Sequence, residues 1–278
     1  MPGEKPHGVA RVISKRGFCS RSIAENLVRE GRVSLRGKIV RDPDTPAYEN
    51  DEIAVDGKPV EAAQKFYFAM NKPRGIVTTA SDEKGRKTVM DLFREQYAKL
   101  FPGKPVPHIS PVGRLDAASE GLLLFTNDTK WADDILSGGS ALRLSSGTFP
   151  PTSTSLAKDK VTESAEVTST KHLKVYRVQV AGKPTTAELE QMEKGFNVPP
   201  RVFGESEEFM HAERAVLHSE GEKNCWLEIT LSEGKNREIR RMLAHLGYEV
   251  MRLVRIQFDK YKLGNLKPGE LRAVRNEL

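Results

Sequence analysis

The spacing of apolar residues near the start of the chain predicts two short helices. Val9, Val12 and Ile13 recur as they would on one face of a helix. Ser20 is a typical N-cap for a second helix, which would end at Gly31. The apolar positions of that second helix are Ile23 or Ala24, Leu27 and Val28.

Small strands are predicted after this helix pair. The run VSLRGKIV at 33–40 has the pattern of a tight hairpin, and Asp56-Gly57 after the apolar run at 53–55 marks a second turn. Two helices that lead into small strands make a compact unit of about 60 residues, a plausible size for a domain. We therefore predict a small domain at 1–61, a short linker, and a larger domain at 66–278.

The larger domain mixes strand and helix patterns. The continuous apolar run at 122–125 is typical of a strand buried on both faces, whereas the residues at 226–231 alternate between apolar and polar. Further strands are predicted at 66–70, 76–79, 108–112, 174–180 and 252–258, and helices from Thr88 and over 236–246. Because these elements follow no strict βαβ rhythm, the expected fold class is α+β, with a mixed, largely antiparallel sheet flanked by helices.

Charge is distributed unevenly along the chain. The 278 residues carry a net charge of +6, which suggests a polyanionic partner such as RNA or DNA. Basic residues crowd into 5–41, whereas 42–56 contains six acidic residues and neither Lys nor Arg. This polarity favours a small domain with one basic face, although many mildly basic proteins bind no nucleic acid.

Cysteine content and apolar runs exclude several classes of protein. Cys19 and Cys225 are far apart and belong to no CxxC or Cys/His cluster, so neither a disulfide framework nor a metal site is expected. The first residues, MPGEKPHGVARV, lack the apolar segment of a signal peptide, and no apolar run is long enough to span a membrane. We expect a cytoplasmic protein that contacts no membrane, with a monomer as the default state.

One segment does not fit a compact fold. Residues 137–170 are rich in Ser, Thr, Gly and Pro. A structureless loop of this length is unusual inside a domain, and we expect an insertion of weak order there.

An acidic residue stands out in GRLDAASEGLLLFTND at 113–128. A predicted strand ends at Val112, Gly113 permits a tight backbone path, and Asp116 lies just beyond. The small residues at 117–119 leave room for a bulky group to approach the carboxylate. On this motif alone, a loop-capping role for Asp116 is favoured over a catalytic one.

The small domain contains the stretch GVARVISKRGFCSRSIAENLVREGRVSLRGKIV and, after it, EIAVDGKPV. Together they resemble the S-four-type RNA-binding domain. The resemblance implies that the helix pair docks on structured RNA, where guanidinium groups would bind phosphates without reading sequence. The candidate RNA-binding residues are Arg11, Lys15, Arg16, Arg21, Arg29, Arg32 and Lys38. A solvated helix face is the alternative.

The larger domain contains, in order, NKPRGIVTT, GRKTVMDL, GRLDAASEGLLLFTND, KVY and EGKNREIRRMLAHLGYEVMRLVRI. Behind an S-four-type domain, these motifs resemble the ribosomal-RNA pseudouridine synthases of the Rsu type. The resemblance implies an isomerase that breaks the N-glycosidic bond of a uridine and joins C5 to the same ribose carbon. It implies ribosomal RNA or a pre-ribosomal subunit as the partner, and neither a metal nor a redox cofactor.

The same resemblance implies roles for individual residues. Asp116 matches the essential aspartate, which either attacks the substrate covalently or removes a proton from the sugar, shielded from bulk water. Arg240 matches the basic partner of that buried carboxylate, and helix geometry places it beside the apolar face, with Arg241 facing solvent or RNA phosphate. Tyr176 matches an aromatic residue that stacks on the target base, and Arg114 would hold a phosphate or the flipped nucleotide.

Alternatives stay open for several of these interpretations. Arg240 would otherwise pair with a structural acid, Tyr176 would be a core aromatic, and Arg114 would brace its loop. The insertion at 137–170 would be a lineage-specific loop, an additional RNA contact or a flawed stretch of reading frame. The rival functions are a catalytically silent RNA-binding or ribosome-assembly protein and a hydrolase with paired carboxylates.

Overall fold

The structure, a computed structural model, describes residues 5–79, 82, 84–137, 172–200 and 206–276. Its N-terminal unit contains β1 (His7–Gly8), α1 (Val9–Lys15), α2 (Arg21–Arg29), β2 (Val33–Leu35), β3 (Lys38–Val40), β4 (Pro46–Ala47), β5 (Ile53–Val55) and β6 (Lys58–Pro59). Strands β3, β2, β5 and β6 form an antiparallel sheet in that order, and β1 pairs with β4.

The helix pair follows from its caps and its apolar face. The Ser20 hydroxyl accepts a hydrogen bond from the Ile23 backbone N–H at 3.2 Å, and Gly31 leaves the helix with a φ of +74°. Ala24 is fully buried whereas Ile23 is 52% exposed, so Ala24 is the residue that joins Leu27 in the core. The two predicted helices are confirmed.

Both predicted turns of the N-terminal sheet are also confirmed. Arg36 and Gly37 have φ angles of 51° and 77°, which is the backbone conformation of a two-residue hairpin turn. Asp56 and Gly57 repeat it with 50° and 76°. The two turns set the register of the sheet that covers the helix pair.

The larger unit begins at the strand predicted at 66–70. Its elements are β7 (Tyr67–Lys72), α3 (Val89–Leu100), β8 (Ser110–Val112), β9 (Glu120–Thr126), α4 (Thr129–Ser137), β10 (Lys174–Ala181), α5 (Thr186–Lys194), β11 (Phe196–Val198), β12 (Glu208–Met210), β13 (Arg214–Glu220), β14 (Asn224–Leu231), α6 (Glu238–His245), β15 (Val250–Phe258), β16 (Tyr261–Lys262) and β17 (Leu271–Ala273).

One mixed sheet organises this unit. Its strands run in the order β13-β14-β10-β15-β9-β7-β17, with β8 paired to β9 and β16 to β15. The strands of this sheet that the structure describes pair in antiparallel fashion, except that β15 and β9 are parallel. The predicted α+β class with a largely antiparallel sheet is therefore confirmed.

The parallel pair depends on a glycine. Gly121 lies opposite Arg255 in the β9–β15 register, and its φ is +103°. A Cβ placed on Gly121 would lie 2.3 Å from the Arg255 carbonyl oxygen. Only glycine allows the two backbones to approach this closely at such a φ.

Helices cover both faces of the sheet. In β9, Leu123 and Phe125 pack into the larger apolar core together with side chains from α3, α5 and α6. Leu122 and Leu124 point to the other face, where α4 contributes Trp131 to a second core. The strand predicted to be buried on both faces is therefore confirmed. Among the described residues, no helix is long and apolar enough to cross a bilayer.

Several elements differ from the sequence expectations. The extended run expected at 76–79 makes one isolated bridge, between Val77 and Thr88, instead of a strand. Helices α4 and α5 and strands β11 to β13 were not predicted. Of the expected insertion at 137–170, Ser137 ends α4, and the rest lies outside the described residues.

Candidate active site

A cavity of about 480 Å³ opens where the loop after β8, the start of β10, the N-terminal end of α6 and β15 meet. This volume lies within the range of small-ligand sites. All four residues predicted for the reaction centre line it: Arg114, Asp116, Tyr176 and Arg240. The structure thus brings together side chains that lie up to 126 positions apart, from 114 to 240.

The loop that carries Asp116 is tied down on both sides. Gly113 turns the chain out of β8 with a φ of +72°. The Thr78 hydroxyl donates to the Leu115 carbonyl at 2.6 Å, and the Ser119 backbone N–H donates to the Asp116 carbonyl at 3.0 Å. These bonds use the loop's backbone and leave the Asp116 carboxylate free to face the cavity.

The carboxylate differs from expectation in its burial and in its partner. The Asp116 side chain is 40% exposed, so the expectation of a buried carboxylate was wrong. Its ion-pair partner is Arg237, whose Nη1 lies 3.3 Å from Asp116 Oδ2, and not Arg240. Arg237 precedes α6 with a left-handed φ of +53°, so projection along the helix could not place its side chain.

Arg240 supports the loop from behind instead. Its guanidinium donates to the Ala118 carbonyl at 3.1 Å and to the Val250 carbonyl at 3.0 Å, joining the Asp116 loop to β15. Burial lowers the pKa of Arg240, and the nearby Arg237 lowers it further, while Asp116 opposes the change. Arg240 therefore lies beside the Asp116 loop, where it contacts backbone carbonyls and not the carboxylate.

Arg241 was expected to face solvent or RNA phosphate, and this was wrong. Its side chain is 13% exposed and forms an ion pair with Glu208, while Nη2 donates to the Pro199 carbonyl. The residue ties α6 to the β12 strand. The short strands β11 and β12 cover that side of the helix, and the sequence pattern had not predicted them.

Lys72 is a buried cation below the same loop. It is fully buried, and its Nζ donates to the carbonyls of Asp116 at 3.1 Å, Ser119 at 2.8 Å and Pro73 at 3.1 Å. Burial lowers the pKa of Lys72 from 10.5 to about 8, against the opposing charges of Asp116 and Glu120. Lys72 was given no role from the sequence, although a lysine at the end of the buried run YFAMNK could have indicated a buried cation.

Tyr176 and Arg114 lie at different depths in the cavity. Tyr176 is 8% exposed, lies opposite Arg255 in the β10–β15 register, and also packs into the larger apolar core. It is therefore both a core aromatic and a cavity wall, so the two interpretations are compatible. Arg114 is exposed at the cavity rim, where a phosphate could reach it.

A second carboxylate lines the cavity. Glu238 is 3% exposed, and its Oε2 accepts a hydrogen bond from the Lys235 backbone N–H at 3.1 Å, which ties the first residue of α6 to the turn before it. Burial raises the pKa of Glu238. Glu238 is therefore a second acid in the cavity wall, in addition to Asp116, and the sequence pattern did not point to it.

Two further cations border the cavity away from Asp116. Lys174 Nζ donates to the Glu233 carbonyl at 3.2 Å, and Arg255 Nε donates to the Leu122 carbonyl at 2.8 Å. Both side chains lie over the Phe258 ring. Neither residue was given a role from the sequence. Arg255 follows Leu253 at the two-residue spacing of an inward strand face, and this spacing could have predicted that its side chain points inward.

The candidate RNA-binding residues of the N-terminal unit divide into two groups. Arg11, Arg21, Arg29, Arg32 and Lys38 are exposed, although Arg21 and Arg29 share Glu25 on α2 and Arg32 pairs with Asp56. Lys15 and Arg16 are half-buried: Lys15 pairs with Glu49, and Arg16 donates to the carbonyls of Glu49, Asp51 and Val60. Burial lowers the pKa of the Arg16 guanidinium. The half-buried side chain bridges loops of the domain and does not extend into solvent.

Comparisons with known proteins bear on both units. The model of the family described as RNA pseudouridylate synthase matches residues 66–137, and the S4 domain model matches residues 9–53. The ribosomal large subunit pseudouridine synthase B of Bacillus subtilis (strain 168) is 30% identical over 265 residues, covering 95% of this chain and 90% of that protein. The chain belongs to the RNA pseudouridine synthase family.

Further relatives agree with this membership. An uncharacterized RNA pseudouridine synthase of Aquifex aeolicus (strain VF5) is 32% identical over 268 residues, covering 96% of this chain and 89% of that protein. The fold is similar to that in a crystal structure of a pseudouridylate synthase, with a TM-score of 0.56, 23% identity and coverage of 97% and 96% of the two chains. The predicted family, its isomerase class and the S-four-type domain are confirmed.

The family match includes the loop of Asp116, because residues 66–137 extend from β7 to the end of α4. The residues that surround Asp116 come mostly from later in the chain. Among the described residues, no group of three or more His, Cys, Asp or Glu side chains is arranged to hold a metal ion.

Proposed function

We propose that this protein isomerises a specific uridine of ribosomal RNA to pseudouridine, with Asp116 as the essential carboxylate and without a cofactor. The observation that supports this most directly is the half-exposed Asp116 carboxylate, which faces the cavity while its loop is held by Lys72 and Arg240. A rigid loop under a reactive group preserves the geometry that catalysis needs.

The proposed reaction conserves every atom of the uridine. The bond from N1 to the ribose C1′ breaks, a bond from C5 to C1′ forms, and one proton leaves C5 while N1 gains one. Asp116 would either attack the sugar covalently or remove a proton from it, and both roles require its carboxylate within reach of the ribose. In both roles Arg237 orients the carboxylate through its 3.3 Å contact.

The neighbouring residues would then receive the flipped nucleotide. Tyr176, in the cavity wall, would stack on the base and replace part of the stacking that the base had within the RNA, worth about 1–3 kcal/mol. Arg114, at the rim, would hold a phosphate of the same strand. These assignments complete a site for one nucleotide in a cavity of about 480 Å³.

The N-terminal unit would bind the RNA. Arg32 is exposed but donates two hydrogen bonds to Asp56, so we narrow the proposed phosphate contacts to the other exposed candidates, Arg11, Arg21, Arg29 and Lys38. Ribosomal RNA or a pre-ribosomal subunit is the proposed partner because the Bacillus subtilis relative is named as a large-subunit synthase. The cytoplasmic location and the monomeric state stay predictions, as does the division into 1–61 and 66–278.

The test is formation of pseudouridine. Purified protein is incubated with unmodified transcripts of large- and small-subunit ribosomal RNA, and with partly assembled subunits, and carbodiimide-dependent primer stops are mapped. We expect a new stop with wild-type protein and none with Asp116→Asn, which should bind RNA normally. Asp133→Asn is the matched control, because Asp133 is exposed on α4 outside the cavity.

Each of the rival functions gives a different result. RNA binding by the wild type without a stop on any of these substrates would favour the catalytically silent protein. Release of free uracil, seen by chromatography, would favour the hydrolase. Normal turnover by Asp116→Asn would show that Asp116 is not essential.

A further inference from the structure

Lys174 and Arg255 form a buried pair of cations in the cavity wall. Their side chains belong to residues that are 8% and 2% exposed. Within the part of the chain that the structure describes, neither lies within 4.0 Å of a carboxylate oxygen. A buried cation without a carboxylate is unusual, because burial removes its hydration shell and leaves its charge uncompensated.

Arg255 has an unused donor. Its Nε donates to the Leu122 carbonyl at 2.8 Å, and the face of its guanidinium lies 4.9 Å from the centre of the Phe258 ring. Its Nη2 is buried and has no hydrogen-bond partner among the described residues. Because Arg255 lines the cavity, a ligand there can supply the missing acceptor.

Lys174 adds charge at the same place. It lies beside Arg255, and the two interact strongly enough that Arg255 contributes to lowering the pKa of Lys174, after burial. Lys174 Nζ is held by the carbonyls of Ser232 and Glu233. The charges of Glu238 and Glu233 act in the opposite direction and raise the pKa of Lys174, although neither carboxylate forms an ion pair with it.

We propose that Arg255, supported by Lys174, binds a carbonyl oxygen of the target uracil, an inference that rests on the proposed function. The walls beside the pair are the apolar faces of Tyr176, Leu253 and Phe258, which suit a flat ring. A phosphate would require several convergent donors. Nη2 carries two N–H groups, either of which can donate to a base carbonyl, and the apolar walls suit a base better than a phosphate.

The cation pair also favours the chemical step. When the N1–C1′ bond breaks, its electron pair stays on N1, and the resulting charge spreads to O2 and O4 of the uracil. Arg255 at a carbonyl stabilises that charge, and its contacts with Leu122 and Phe258 keep the guanidinium beside the base. The C5–C1′ bond then forms, C5 loses its proton and N1 takes one up.

The first experiment removes the donor. Pseudouridine formation is followed under single-turnover conditions on the transcripts described above for wild type, Arg255→Met and Arg255→Lys. Arg252→Met is the matched control, since Arg252 lies on the same strand, is exposed and pairs with Glu120 outside the cavity. We expect the rate to fall about 10- to 100-fold for Arg255→Met, with RNA affinity unchanged, from the strength of a hydrogen bond to a charged group.

The second experiment changes the acceptor. Transcripts carrying 2-thiouridine or 4-thiouridine replace one carbonyl oxygen by sulfur, a poorer acceptor. The nucleosides are separated by liquid chromatography before mass spectrometry, because substrate and product have the same mass. We compare the ratio of the wild-type rate to the Arg255→Lys rate on each RNA. This ratio should be smaller on one of the two thiouridine RNAs than on uridine RNA, because the substitution and the sulfur atom remove the same hydrogen bond. Arg255→Lys keeps the buried charge, so this comparison does not depend on the folding of Arg255→Met.

The outcomes separate the two proposals. If the wild type forms no pseudouridine on uridine transcripts, the proposed function fails and this inference fails with it. If the wild type is active but Arg255→Met reacts at the wild-type rate, only this inference is overturned. The same wild-type to Arg255→Lys ratio on all three RNAs would overturn it independently.

Discussion

Arg237 and Asp116 form an ion pair, with Arg237 Nη1 3.3 Å from Asp116 Oδ2, although 121 positions separate them in the chain. Arg237 reaches the carboxylate from a left-handed residue just before α6. The pair joins the loop after β8 to the start of that helix across the mouth of the cavity. Because the side chains of Arg237 and Asp116 are each about two-fifths exposed, their ion pair orients the carboxylate more than it stabilises the fold.

Replacing Arg237 should therefore affect rate more than stability. We expect Arg237→Ala to lower the single-turnover rate about 10- to 100-fold, since a misplaced reactive group loses that order of rate. Urea unfolding should change by no more than about 1 kcal/mol. Arg252→Ala is the control because Arg252 forms a comparable ion pair, with Glu120, outside the cavity. A loss of several kcal/mol in Arg237→Ala would contradict the orienting role.

Lys72 should make stability depend on pH. Its pKa of about 8 in the folded protein lies below the ordinary 10.5, so between these values the unfolded chain binds more protons. The free energy of unfolding of wild type minus that of Lys72→Met should therefore rise from about pH 8 to pH 10.5, by up to roughly 3 kcal/mol.

Urea titrations at several pH values between 7 and 11 measure this difference. Lys99→Met is the control, because Lys99 is exposed on α3 and should show no such rise. A difference between wild type and Lys72→Met that stays flat across the window would mean that Lys72 keeps an ordinary affinity for its proton in the folded state.

Helix α6 shows which structural features the apolar spacing predicts and which it does not. Its apolar spacing correctly predicted that Ile239, Met242 and Leu243 are buried. The pattern could not identify the partner of Asp116, because Arg237 lies outside the helix and its φ of +53° has no periodic signature. Arg241 was misplaced for another reason: strands that lie elsewhere in the sequence cover it.

The residues that line the cavity show the same division. Motif order identified Asp116 and Tyr176 as neighbours in space, and both line the cavity. Lys72 and Arg255 are charged residues at buried strand positions, where periodicity alone expects apolar side chains. Helix α5 could have been predicted, since Thr185 and Glu188 form a capping box at its start. The parallel pairing of β9 with β15 is a long-range contact that no local pattern encodes.

Gly121 should be essential for that pairing. In Gly121→Ala the new Cβ would meet the Arg255 carbonyl oxygen at 2.3 Å, on a backbone with a φ of +103°. We expect a loss of more than about 3 kcal/mol, or failure to fold. Gly37→Ala separates backbone strain from the clash, because Gly37 has a φ of +77° and no atom within 4 Å.

Gly37→Ala should lose only about 1 kcal/mol, the usual strain of a left-handed alanine. Thermal and urea unfolding of both variants measure the two values. Equal losses in Gly121→Ala and Gly37→Ala would indicate that β9 and β15 can separate at little cost, and the Arg255 side chain would then lack its fixed backbone position.

The N-terminal cations should act on affinity alone. Arg21 and Arg29 are 59% and 58% exposed on α2, far along the chain from the cavity residues. The double variant Arg21→Gln/Arg29→Gln should weaken binding to ribosomal RNA transcripts. It should also lower the slope of log affinity against log salt by about one for each phosphate that is no longer neutralised. The rate at saturating RNA should stay at the wild-type value.

Arg36→Gln is the matched control, because Arg36 is 55% exposed on the same unit but donates two hydrogen bonds to Asp51 at the hairpin turn, whereas Arg21 and Arg29 share the single carboxylate of Glu25. Filter binding across a salt series, with single-turnover rates alongside, separates the two effects. An unchanged salt slope in the double variant would assign α2 to a solvated surface. A lower rate at saturating RNA would instead mean that the helix pair also positions the uridine, since weaker docking alone is overcome by concentration.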